Sequence, residues 1–139
     1  MVKITFTYTG ELRCEAVHTP SLVRLATDAP VDNQGRGESF SPTDLVATAL
    51  GACMLTTMGI VAQRHGWELR GASAEVEKVM VSEPTRRIGE LRVVLRMPAG
   101  LDERARTTLE RAALTCPVHK SLHPDVRLPV RIEWAGDAS

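Results

Sequence analysis

One long stretch without charge constrains the fold of this chain more than any other feature. From Leu45 to Gln63 no residue is charged, and small Ala, Gly and Thr residues recur. The flanking residues are typical helix ends, with Ser41 as N-cap, Pro42 at the first helical position and Gly66 as the stop. We therefore expect a helix that must be covered on every side, because none of its faces carries charge.

The remainder of the chain provides few elements that could cover such a helix. Its 139 residues suit a single domain over residues 1–139. Two copies whose sheets jointly enclose both central helices would solve the packing problem, so we predict a homodimer. The apolar stretch is interrupted by Thr, Gly and Gln and lacks flanking anchors, so we expect no membrane span.

Alternating apolar and polar residues around this helix predict strands, and the fold class is therefore α+β. The predicted order is β-β-β-α-β-β-α-β. Residues 28–41 are rich in Gly, Asp, Asn and Ser and read as a long surface loop. The other predicted elements are three short strands near residues 2–6, 12–16 and 22–26, two longer strands over 67–82 and 87–97, a helix over 101–116 and an edge strand over 126–134.

Composition excludes several classes of function. Lysine plus arginine total 17 and aspartate plus glutamate total 17, so bulk charge favours neither nucleic acid nor an anionic surface. The beginning of the sequence lacks a signal-peptide pattern, so we expect a cytoplasmic protein. The chain has three cysteines, and an odd number of cysteines in a protein expected in the cytoplasm disfavours a disulfide scaffold. No phosphate-binding loop, nucleophile elbow or dinucleotide fingerprint is present, so we expect no cofactor.

Cys53 raises the question of thiol reactivity, because it lies inside the apolar helix. It follows Pro42 by eleven residues, about 16 Å at about 1.5 Å per residue. The helix dipole acts only within the first turn, so a reactive thiolate would need a cation from another segment. The early strands and the loop provide three candidates, between which the sequence does not choose: Arg13, Arg24 and Arg36.

The other two cysteines have different settings. Cys14 lies on a predicted strand, where a free cysteine usually packs as a small apolar group. Cys116 lies at the end of the second helix, which Pro117 should break. Cys116, His119 and His123 also form a C-x2-H-x3-H cluster, but prolines interrupt its spacing and a structural zinc site needs a fourth ligand, so we expect no metal. His119 is instead a candidate for tuning the thiols.

Two segments together resemble a known family. SPTDLVATALGACMLTTM, over Ser41–Met58, and TCPVHKSL, over Thr115–Leu122, resemble the two cysteine motifs of the OsmC/Ohr family of osmotically induced and organic hydroperoxide resistance proteins. The predicted element order agrees over essentially the whole chain. The resemblance implies an intertwined homodimer with active sites at its interface. It also implies a thiol peroxidase that reduces organic hydroperoxides or hydrogen peroxide and is restored by a dithiol reductant.

The resemblance also implies roles for individual residues. By position, Cys53 would attack the peroxide and Cys116 would close a disulfide. The peroxidase branches add an arginine near the second strand, to which Arg13 is closest, and a glutamate just after the loop proline. At that last position this chain has Thr43. Asp44 follows, but it lies nine positions before Cys53 on the helix, which puts the two on opposite faces.

A carboxylate from the loop could complete the site instead. Glu38 is the candidate, and its different location indicates a divergent member of the family. We therefore predict an OsmC-like thiol peroxidase whose site residues are Cys53, Cys116, Arg13 and Glu38. The alternative from another class is a noncatalytic small-ligand or interaction protein on the same dimeric scaffold, in which the cysteines only pack.

Overall fold

The computed structural model describes residues 1–136. These residues contain six strands and three α-helices. The chain divides into two compact units, Met1–Val46 and Ala47–Ser139. The elements are, in chain order, β1 (Ile4–Gly10), β2 (Arg13–His18), β3 (Arg24–Asp28), a 3₁₀ turn (Val31–Asn33), α1 (Pro42–His65), β4 (Ser73–Val81), β5 (Arg87–Met97), α2 (Glu103–Ala113), α3 (Pro117–Ser121) and β6 (Val130–Trp134). The predicted α+β class is confirmed.

The first unit contains an antiparallel sheet in the order β1-β2-β3. Its register places Phe6 beside Ala16 and Ala16 beside Leu25, so these side chains share one face with Ile4 and Tyr8. Apart from Ala16, this face is open in the single chain, with Phe6 68% and Tyr8 64% exposed. The three predicted N-terminal strands are therefore present, but one of them carries an unusually bare apolar face.

Helix α1 begins where its capping residues predict. The Asp44 N–H donates to Ser41 Oγ at 3.1 Å, and the Ser41 N–H donates to Asp44 Oδ2 at 2.9 Å. This reciprocal pair satisfies two backbone donors that the first helical turn leaves free. The helix ends at His65 and is followed by Gly66 with φ of 71°, a conformation that glycine adopts without strain.

Within the second unit, α1 buries one stripe of side chains. Gly51 lies against β4, where an added Cβ would meet a Val76 methyl at 3.1 Å, so glycine permits this close approach. The opposite side of α1 remains accessible, and Ile60 is 47% exposed. By length and composition α1 could cross a membrane, but core helices of soluble proteins meet the same criterion, and 33% of its apolar window is buried in this chain.

The second sheet has the order β4-β5-β6, with β4 antiparallel and β6 parallel to β5. A parallel pair needs a crossover connection, which α2 and α3 provide between β5 and β6. One face of β5 belongs to the core. The other face carries ion pairs from Arg92 to Glu77 and from Arg96 to Glu75, as the predicted solvated face requires. The fully buried core residues of this unit include Leu50, Met54, Met58, Leu91, Leu95 and Leu109.

Several predicted boundaries differ from the structure. Strand β4 begins at Ser73, six residues later than predicted, after a turn in which Gly71 has φ of 92°. Helix α2 ends at Ala113, and a short helix that the sequence pattern did not predict, α3, begins at Pro117. Proline breaks a helix from within but fits the first position of a new one, because its fixed φ is helical and no backbone donor is needed there.

Candidate functional site

The structure brings Cys53 and Cys116 together. The Cys53 side chain lies close enough to Cys116 to raise the pKa of its thiol, although 63 positions separate them in the chain (116 − 53). Cys53 comes from the middle of α1 and Cys116 from the junction between α2 and α3. Both are free thiols. Both cysteines belong to the second unit.

The two thiols differ in exposure. Cys116 is completely buried, with 0% of its surface exposed, whereas Cys53 is only half-buried. Burial raises the pKa of the Cys116 thiol, because the thiolate loses hydration there, and the contact with Cys53 raises that pKa further. Backbone N–H groups of His119 and Val118 act in the opposite direction on this pKa. Cys116 is therefore a protonated thiol at neutral pH.

Cys116 also has a structural task as the N-cap of α3. Its Sγ accepts a hydrogen bond from the His119 N–H at 3.2 Å. The predicted proximity of His119 to the thiol pair is thus present, and the contact is made by its backbone rather than by its imidazole. This cap fixes the position of the Cys116 sulfur relative to the helix backbone.

Arg13 and Glu38 meet in the first unit. Arg13 Nη2 donates to Glu38 Oε2 at 2.8 Å. The same nitrogen lies 3.4 Å from Asp28 Oδ2. The hydrogen bond to Glu38 and the charge of Asp28 raise the pKa of the Arg13 guanidinium, so this side chain is a permanent cation. The two polar residues that the sequence assigned to the site are therefore ion-paired with each other.

The loop after β3 folds back to place Glu38. The Gly37 N–H donates to the Ala29 carbonyl at 3.1 Å, and the Glu38 N–H donates to Asp28 Oδ2 at 2.9 Å. Gly35 allows this tight path, because a Cβ there would lie 1.8 Å from the Ala29 carbonyl oxygen. The loop is therefore a specific structure that presents a carboxylate to Arg13.

Asp28 is the residue of this group that the sequence analysis did not select. Its side chain is 1% exposed, although it was assigned to the start of a surface loop. In the β2–β3 pairing Asp28 lies directly opposite Arg13. A hairpin turn centred on residues 20 and 21 would have predicted this pair, because positions equidistant from the turn face each other across antiparallel strands.

The other candidate residues have partners elsewhere. Arg24 pairs with Glu15, and Arg36 lies 3.6 Å from Glu11. Cys14 is half-buried on β2. Among residues 1–136 no three His, Cys, Asp or Glu side chains are arranged to hold a metal ion.

A groove of about 530 Å³ lies on the outer face of the second sheet. Its walls include Arg92, Arg96 and Arg131, and no cysteine lines it. Arg92 and Arg96 are ion-paired with glutamates of neighbouring strands, and Arg131 pairs with Glu133 at 3.0 Å. These pairs explain the charged lining without a ligand.

Two three-stranded sheets and three α-helices in this order agree with the predicted OsmC-like α+β fold. The model of the OsmC-like protein family matches residues 35–131. This chain belongs to that family.

Solved structures agree with this assignment. A protein of Psychrobacter arcticus assigned to osmotic stress induction and the detoxification response is 47% identical, with a TM-score of 0.90 and 96% of each chain covered. The organic hydroperoxide resistance protein OsmC of Legionella pneumophila is 21% identical, with a TM-score of 0.73 and 96% of each chain covered. OhrB of Bacillus subtilis is 18% identical, with a TM-score of 0.68, 96% of this chain and 98% of that chain covered. No curated protein sequence matches significantly.

Proposed function

We propose that this protein is a cysteine-dependent peroxidase that reduces organic hydroperoxides or hydrogen peroxide in the defence against oxidative stress. The observation that carries the proposal is the contact between a half-buried Cys53 and a fully buried Cys116. A peroxide can approach the more accessible Cys53 sulfur, and the Cys116 thiol beside it stays protonated. Two relatives of the same fold are named organic hydroperoxide resistance proteins, which supports this substrate class.

The reaction divides into three steps. The Cys53 thiolate attacks the terminal oxygen of the peroxide, the O–O bond breaks, and the leaving alkoxide takes up a proton to become an alcohol. The resulting sulfenic acid condenses with the Cys116 thiol, which forms a disulfide and releases water. A dithiol reductant then transfers its two electrons to the disulfide, is itself oxidised to a disulfide and restores both thiols.

Arg13 and Glu38 serve this chemistry in the proposal. A thiolate in the middle of a helix receives nothing from the helix dipole and needs a cation. Arg13 stays charged under all conditions and its fork of donors can also orient a peroxide oxygen. Glu38 Oε2, 2.8 Å from Arg13 Nη2, accepts a hydrogen bond from one end of that fork.

The proposal includes a homodimer built from one OsmC-like domain per chain, residues 1–139, located in the cytoplasm. Two exposed apolar surfaces support this assembly: the sheet face of Ile4, Phe6, Tyr8 and Leu25, and the accessible side of α1 around Ile60. Monomeric soluble proteins rarely leave such contiguous apolar faces bare. A second copy that covers them would complete the enclosure of α1 expected from its charge-free sequence.

Mass spectrometry after one equivalent of tert-butyl hydroperoxide tests the function. We expect each chain to lose the mass of two hydrogens and to regain it with a dithiol, and we expect Cys53→Ser to abolish the change. In Cys116→Ser the reaction should stop at the Cys53 sulfenic acid, which dimedone traps. Cys14→Ser is the matched control and should behave like the wild type. A wild-type dithiol that survives peroxide unchanged would instead favour the noncatalytic ligand-binding or interaction protein.

A further inference from the structure

Asp28 and Glu38 bind the same nitrogen of Arg13, but their environments differ. Asp28 is 1% exposed, lies opposite Arg13 in the β2–β3 register and belongs to regular secondary structure. Glu38 is 56% exposed and lies in the loop. Exposed ion pairs hold a side chain weakly, since water competes for both partners. The buried carboxylate is the fixed partner of Arg13, and the exposed one is exchangeable.

Asp28 also positions Glu38 itself. Its Oδ2 accepts the Glu38 N–H at 2.9 Å as well as facing Arg13 Nη2 at 3.4 Å. A single buried oxygen thus connects strand β2 to the loop that carries the second carboxylate. Loss of this oxygen would release both residues that the proposed site requires.

Two atoms of the pair are left without protein partners. Among the described residues, Arg13 Nε and Asp28 Oδ1 are the buried side-chain polar atoms that make no hydrogen bond. Buried polar groups are nearly always satisfied, and each exception costs about 1–3 kcal/mol. A pair selected for stability alone would satisfy both atoms, so this geometry is consistent with a functional role.

The charges of this group distinguish an electrostatic role of Asp28 from a positioning role, because the two roles predict opposite effects on a thiolate. Two carboxylates surround one guanidinium, so the net charge of the three groups is −1. If Asp28 acted only through its charge, its removal would favour a nearby thiolate. If Asp28 holds Arg13 in place, its removal would disfavour the thiolate, because the cation would be lost from the site.

We propose that Asp28 is the positioning residue of the site: it holds the Arg13 guanidinium and the Glu38 loop in the arrangement that serves Cys53. The inference rests on the proposed function, which assigns Arg13 to the Cys53 site. Asp28 does not touch the reacting atoms and acts through Arg13.

The experiment compares Asp28→Asn with Glu15→Gln. Asparagine keeps the shape of the side chain and removes its charge. Glu15 lies two residues from Arg13 on β2 and pairs with Arg24. Glu15→Gln is therefore the matched control, because it also removes one carboxylate charge near Arg13 but none that contacts it. Peptide-resolved iodoacetamide labelling gives the pH midpoint of Cys53 alkylation. We expect Asp28→Asn to move this midpoint up by about one pH unit, about a tenfold loss of rate at neutral pH, and Glu15→Gln to leave it unchanged or slightly lower.

A second measurement does not depend on the thiol. Because Arg13 Nε is buried, its N–H should exchange slowly and give a cross-peak in spectra of ¹⁵N-arginine-labelled protein. We expect Asp28→Asn to abolish this cross-peak and Glu15→Gln to retain it. Asp28→Ser replaces Asp28→Asn if the latter does not fold.

A double-mutant cycle completes the test. In an Arg13→Met background, Asp28→Asn should cause no further change in the alkylation midpoint. A midpoint that falls in Asp28→Asn, a retained Arg13 cross-peak, or an unchanged midpoint in Arg13→Met would each overturn the inference. Failure of the proposed function is a separate result, in which the wild type forms no disulfide with peroxide while the Arg13 cross-peak still responds to Asp28→Asn.

Discussion

The apolar face of the first sheet predicts a specific energetic role for Phe6. Its side chain is 68% exposed in the single chain and lies next to Ala16 in the β1–β2 register. An aromatic side chain buries roughly 200 Å² when fully covered. The exposed part is therefore about 140 Å², and covering it contributes about 3.5 kcal/mol at about 25 cal/mol per Å².

Phe6→Ala should remove most of this contribution, about 3 kcal/mol per copy, since alanine retains only one methyl group. A symmetric dimer loses the contact twice, about 6 kcal/mol, which weakens dimerisation by roughly 10⁴-fold. Area conversions are upper estimates for association, so a weakening of about hundredfold is the smallest that we expect.

Sedimentation equilibrium over a wide range of concentrations measures the dimer dissociation constant directly. Thr7→Ala provides the matched control, because Thr7 is adjacent in β1 and its side chain points to the opposite sheet face. Phe6→Ala with the dissociation constant of the wild type would refute the reasoning, as would a wild type that is monomeric throughout.

Two further predictions concern stability. Asp44→Ala removes one half of the cap on α1 and should lower the free energy of unfolding by about 1 kcal/mol in urea denaturation; an unchanged midpoint would show that the reciprocal bonds with Ser41 contribute nothing. Burial raises the pKa of Cys116 in the folded chain, so its contribution to stability is complete below the thiol pKa of the unfolded chain, about 8.5, and is lost as the pH rises through the folded value. Cys116→Ala should therefore reduce the fall in unfolding free energy between neutral and alkaline pH, measured in urea with reductant present, whereas Cys14→Ala should not; equal slopes in both variants would contradict this.

Much of the fold was predictable because its signals are local. The ends of α1 follow from Ser41, Pro42 and Gly66, each of which acts on backbone groups within a few residues. The alternation in β5 likewise predicts its core face. The start of β4 and the separate helix α3 were not predicted, because Trp67–Ala72 can continue a strand pattern and Pro117 is compatible both with a helix end and with a helix start.

The candidate site was predictable in part. Cys53, Cys116 and Arg13 were selected through a resemblance, and Glu38 as a substitute for the carboxylate that the family has after the loop proline. The spacing of these residues in the chain does not show which of them lie close together. Asp28 was overlooked because an acid at the edge of a polar loop looks solvated until its strand partner is known.

The sequence by itself determined the ends of α1, the order of most elements and which residues can carry thiol chemistry, since propensity, capping and charge act over a few residues. Only the tertiary structure decided that a thiol of α1 meets a thiol at the α2–α3 junction, and that Arg13 lies between a buried and an exposed carboxylate. Such contacts depend on strand register and on how helices pack, which are set by burial across the whole chain rather than by neighbours in sequence.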